Sequence, residues 1–108
     1  MARILVVEDD TDQLGMRKQI LEHAGHEVVT AETAAEAIQR LAGCQIVVMD
    51  LQIPTREAGL GLIQAASGSA RIIILSGAAA DSELSVDEFL TKPCSSKRLL
   101  EAIGKFTA

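Results

Sequence analysis

A chain of 108 residues that is 48% hydrophobic can bury one core, so a single domain spanning residues 1–108 is expected. Its net charge of −5, with no basic run or aromatic stacking platform, argues against direct contact with nucleic acid. Its apolar stretches are far shorter than the roughly 20 residues that cross a bilayer, and residues 1–7 carry no secretion-signal pattern, so a cytoplasmic protein is expected.

Trp and Tyr are absent and Phe89 and Phe106 are the two aromatic residues, which leaves the core to aliphatic side chains. Cys44 and Cys94 form no C-x-x-C pair and have no accompanying His cluster, so reduced thiols are expected rather than a disulfide framework or a zinc site.

Ile4–Val7 is a continuous apolar run, as befits a strand buried on both faces of a parallel sheet. Asp10 or Thr11 caps a helix through about Ala24, with Leu14, Ile20, Leu21 and Ala24 on one stripe and Gly25 as its stop. His23 and His26, on either side of that glycine, read as surface residues. His26–Ala31, containing Val28 and Val29, is a second short strand.

Thr33-Ala34-Ala35-Glu36 has the form of a capping box. The helix it opens shows an apolar face of Ala34, Ala37, Ile38 and Leu41, with Glu36, Gln39 and Arg40 toward water, and Gly43 ends it. Ile46–Met49 is the next buried strand, left by the loop Asp50-Leu51-Gln52-Ile53-Pro54. A modest helix from about Gly59 to Ala66 follows, then Gly68 and a strand Arg71–Leu75 that stops at Ser76-Gly77.

Eleven residues separate Ser76 from a strand at Glu88–Leu90, close to the minimum for a crossover helix, so that helix should be very short or irregular. The last helix runs from about Ser96 to Phe106, capped by Ser95 or Ser96 and burying Leu99, Ala102, Ile103 and Phe106. Alternating strands and helices imply right-handed crossovers and an α/β fold. The expected architecture is a flavodoxin-like, doubly wound five-stranded parallel sheet of strand order 2-1-3-4-5.

In such a sheet the carboxyl ends of the strands share one edge, where open α/β sheets bind ligands. Glu8, Asp9 and Asp10 follow the first strand, Asp50 the third, Ser76 the fourth and Lys92 the fifth. The carboxylates of Glu8, Asp9 and Asp50 would repel one another there, and a bound cation removes that penalty. Mg²⁺ is the expected ion, with Mn²⁺ as a substitute, because it takes hard oxygen ligands and favours sites that a phosphate completes. Asp50 then reads as a nucleophile toward a phosphoryl group whose oxygens a metal and a lysine neutralise.

These stretches together, ILVVEDD, VVMDLQIP, IIILSGA and FLTKP, resemble the receiver domains of bacterial two-component response regulators, over essentially the whole chain. The resemblance implies Asp50 as phosphoacceptor, with Glu8, Asp9, Asp50 and the backbone carbonyl of Gln52 around Mg²⁺. The second acid of the pair touches the metal in that family, and the first often acts through water. Asp10 matches a peripheral third acid. Lys92 would pair with the phosphoryl group, and the Lys92-Pro93 peptide would be cis.

Ser76 matches the hydroxyl that bonds the phosphoryl oxygen, and Phe89 the switch aromatic, here without a phenol oxygen. The implied role is a phosphorelay receiver rather than a metabolic enzyme. It would accept a phosphoryl group from a sensor histidine kinase or a histidine phosphotransfer protein and switch the binding of an unknown downstream target.

The sequence departs from the family pattern in the short Gly77–Asp87 segment, an extra residue in the loop from Pro54 to Gly59, Ile53 in place of Met, and Cys94 in place of Phe. The chain stops directly after its last helix, so a free-standing receiver is expected. The alternative from another class is a receiver-like interaction module that binds partners without phosphorylation. A phosphatase of the haloacid dehalogenase type also uses a strand-end Asp, but it needs an acid two residues later, where this chain has Gln52.

Overall fold

The computed structural model describes residues 2–50, 56–76, 86–91 and 95–107. Its strands are β1 (Arg3–Val7), β2 (Glu27–Ala31), β3 (Ile46–Asp50), β4 (Arg71–Ser76) and β5 (Glu88–Thr91). The helices are α1 (Thr11–His23), α2 (Ala34–Arg40), α3 (Arg56–Ala66) and α4 (Ser96–Thr107). All strand pairs are parallel and the five-stranded sheet has the order β2-β1-β3-β4-β5, as expected. Whether a short fourth crossover helix exists falls on residues 77–85, outside the described residues.

The apolar runs of the central strands are continuous because alternate side chains enter two separate cores. Leu5, Val7, Val47, Met49, Ile72 and Ile74 pack toward α2 and α3, against Ala34, Ala37, Leu62, Ile63 and Ala66. Ile4, Val6, Ile46, Val48, Ile73 and Leu75 pack on the other face, against Leu14 and Leu21 of α1 and Leu99, Ala102 and Ile103 of α4.

Local signals end the helices where the sequence leads one to expect. Asp10, rather than Thr11, caps α1, its carboxylate accepting from the N–H groups of Asp12 and Gln13 at 3.0 and 3.3 Å. Gly25 then turns the chain at φ +97°, a region open to glycine. Ser95 caps α4 by accepting from the Arg98 N–H at 3.2 Å. The box at α2 is modified: Thr33 accepts from the Glu36 N–H, but the Glu36 carboxylate reaches back to the N–H of Glu32 rather than of Thr33.

Four expectations need correction. Helix α3 begins at Arg56, three residues before Gly59, because glycine lowers helix propensity without forbidding the first turns. Ile38 is 46% exposed: α2 covers the edge strand β2 and has α3 on one side only, which leaves the margin of its apolar stripe in water. Ala24 is exposed, and His26 is half-buried, its Nδ1 accepting from the Ala2 N–H at 3.2 Å, so that histidine ties the chain start to the entry of β2.

Candidate functional site at the carboxyl edge of the sheet

Strand pairing decides what meets at the carboxyl edge. Val7 pairs with Met49, so Glu8 and Asp50 are the next residues on two adjacent strands. Asp50 pairs with Leu75, and Ser76 follows it. Ser76 pairs with Thr91, the residue before Lys92. The backbone therefore gathers Glu8, Asp9, Asp50 and Ser76 at one edge. Lys92, Pro93, the Gln52 carbonyl and Cys94 lie outside the described residues.

Among the described residues the two buried polar side chains are Glu8, 3% exposed, and Ser76, 4% exposed, and both belong to this edge. No buried side-chain nitrogen or oxygen among the described residues lacks a hydrogen-bond partner. Asp9 is exposed and Asp50 is half-buried at the end of β3. Phe89 pairs in register with Ile74 and is half-buried against the core that faces α2 and α3.

Glu8 is held by a set of partners that the sequence reading missed. Its parity in β1, shared with Ile4 and Val6, directs it to the face covered by α1. There Arg17 Nη1 donates to Glu8 Oε2, while the Asp10 N–H donates to Oε1 at 3.2 Å. Arg17 Nη2 in turn donates to Gln13 Oε1 at 3.1 Å, one helical turn earlier.

Part of the charge that the sequence reading left to a bound cation is thus met within the chain, by the Arg17 guanidinium on Glu8. A signal for this existed. At about 100° per residue, position 17 lies on the same helix stripe as Leu14 and Leu21, and a cation on a buried stripe needs an anionic partner.

No group of three or more His, Cys, Asp or Glu side chains that could hold a metal ion occurs among the described residues. Two strand-end carboxylates, Asp9 and Asp50, are a donor set that suits Mg²⁺, which is usually bound by one or two carboxylates, water and phosphate rather than by an all-protein cage. Asp10 is engaged as the cap of α1.

Residues 4–104 match the family described as the response regulator receiver domain. The chain belongs to that family. It is 32% identical over 106 residues to the uncharacterized transcriptional regulatory protein YrkP of Bacillus subtilis (strain 168), covering 90% of this chain and 46% of that protein. The chain thus spans about half the length of this curated relative.

Among solved structures it is similar to a CheY-like receiver domain protein of Methanospirillum hungatei, with a TM-score of 0.85, 30% identity and coverage of 97% of this chain and 92% of that one. A receiver domain of Clostridium thermocellum gives a TM-score of 0.81 at 26% identity, covering 97% and 93% of the two chains. Membership in the receiver family places the chain in two-component signal transduction, where receiver domains interact with kinases or phosphotransfer proteins.

Proposed function

We propose that this receiver domain accepts a phosphoryl group from a phosphohistidine, on a sensor histidine kinase or a phosphotransfer protein, onto a carboxylate oxygen of Asp50. The observation that carries the reading is the register that sets Glu8 beside Asp50 and Ser76 one residue beyond the partner of Asp50, within a chain matched to the family over residues 4–104. The N–P bond of the phosphohistidine breaks as the O–P bond to Asp50 forms. The resulting acyl phosphate later hydrolyses, which makes the protein a reversible signal carrier rather than a metabolic enzyme.

Pairing with Leu75 of β4 holds the Asp50 backbone at the end of β3, which supplies the positioning that dominates phosphoryl transfer. Asp9 and Asp50, with the Gln52 carbonyl, would hold Mg²⁺; Mn²⁺ is a substitute. The ion supplies charge neutralisation for the phosphoryl oxygens. Lys92 neutralises a further oxygen, and the buried Ser76 hydroxyl bonds one when the group is in place. Phe89, next to β4 and without a phenol oxygen, shifts inward by packing alone.

The occupant of the switched surface is a downstream protein, and the setting is the cytoplasm. No helix among the described residues is long and apolar enough to cross a membrane.

Acetyl phosphate with Mg²⁺ tests the reaction by intact mass. A gain of one phosphoryl group in the wild-type chain, lost in Asp50→Asn, is the expected result. No gain in the wild-type chain would favour a receiver fold that binds partners without phosphorylation.

A further inference from the structure

The Glu8–Arg17 contact joins two side chains that each need the other. Glu8 is 4% exposed at its side chain and Arg17 is 13% exposed. The hydrogen-bonding capacity of Glu8 is divided between Arg17 on one oxygen and the Asp10 N–H on the other. Arg17 is steadied by Gln13, four residues earlier on α1. Both carboxylate oxygens of Glu8 are thus engaged before any cation arrives, and the clamp is built from a helix whose start is fixed by Asp10.

We infer that Arg17 is a positioning residue that keeps the Glu8 carboxylate out of direct metal coordination and so weakens and simplifies the Mg²⁺ site to Asp9 and Asp50. This rests on the receiver reading given above and adds to it a residue on α1 that touches neither the phosphoryl group nor the ion. Two physical effects act in the same direction. The guanidinium lowers the negative charge facing the ion by one unit. It also occupies the oxygen that would otherwise turn toward the edge.

The prediction is an increase in metal affinity on losing a positive charge, which a merely structural role for Arg17 would not produce. Mg²⁺ affinity is read without phosphorylation, from amide NMR shifts around Asp9 and Asp50 as the ion is added stepwise. Arg17→Gln is expected to tighten Mg²⁺ binding several-fold, on the order of 3- to 10-fold, as the nearby charge and the occupied oxygen are released. In a Glu8→Gln background the same substitution should tighten binding clearly less, because only the direct charge effect is left.

Unchanged or weaker Mg²⁺ binding in Arg17→Gln overturns the inference. So does equal tightening with and without the Glu8 carboxylate, which would mean a general field effect. If Arg17→Gln does not fold, Arg17→Met decides. A methionine removes the charge and both donors while keeping an apolar side chain on the stripe of Leu14 and Leu21, so tightening supports the inference and wild-type affinity ends it.

Asp9→Asn reports separately on the underlying site. It should abolish the Mg²⁺ response of the wild-type chain. Its failure to do so removes the receiver metal site itself, and the role of Arg17 with it, in a way distinguishable from an unchanged Arg17 variant.

Discussion

Cys44 shows how burial sets chemistry at a single residue. It is 6% exposed, its thiol donates to the Arg40 carbonyl at 3.5 Å, and burial, partly offset by nearby Arg3, raises its pKa. A raised value favours the neutral thiol, so alkylation of the folded Cys94→Ser chain by iodoacetamide at mildly alkaline pH should be slow and should accelerate on unfolding. Ready labelling under native conditions would contradict the burial of this thiol. The linkage has a definite sign. The stabilisation is complete below the unfolded-state pKa and is lost as pH rises through the higher folded-state value, so any loss belongs to the alkaline limb of the stability profile.

The strand-end places of Asp50 and Ser76 were legible at this same scale because each stands where a buried run meets a polar residue, a boundary that the sequence displays directly. Arg17 was not, since a basic residue inside a helix ordinarily faces water. Only its spacing from Leu14 and Leu21 marks it as buried, and only the parity of Glu8 in β1 supplies the partner.

At the level of elements, α1 matters most to the site, because it carries Arg17 and starts one residue after the acid pair and Asp10. Its first turn depends on the Asp10 carboxylate, which takes two N–H groups that would otherwise go unpaired. Asp10→Ala should cost about 1 kcal/mol of stability, typical of losing an N-cap. Urea unfolding would show this as a lower midpoint at unchanged slope. An unshifted midpoint would mean that water serves the helix start equally well.

The strands were the easiest elements to foresee, since four-residue apolar runs such as Ile72–Leu75 have no exposed face to blur the pattern. Helices were harder at their margins. Arg56 and Glu57 open α3 without any apolar periodicity, and Ile38 lies on the stripe of α2 by angle but beyond the cover that the neighbouring helix provides.

Across the whole molecule, the sheet separates two cores that share backbone but no side chains. Ile63 of α3 belongs to one and Ile103 of α4 to the other. Ile63→Val and Ile103→Val should each cost roughly 1 kcal/mol, within the usual range for losing one buried methylene. Their double variant should cost the sum to within about 0.5 kcal/mol, because substitutions without shared neighbours are nearly additive. A clear departure from additivity in chemical unfolding would show that strain passes through the sheet.

Strand order was readable from the alternation of elements because crossover handedness leaves few ways to wind them. The two-core partition also followed from the unbroken apolar runs. The arrangement of polar partners at the carboxyl edge did not, since it depends on which face each terminal residue inherits.

That inheritance gives the acceptor a second address, written in chain length. Val48 and Asp50 share a face, whereas Met49 between them faces the opposite core. Deleting any one residue between 46 and 49 would preserve the carboxyl group while rotating it through the sheet, leaving the correct chemistry on the wrong side of the wall.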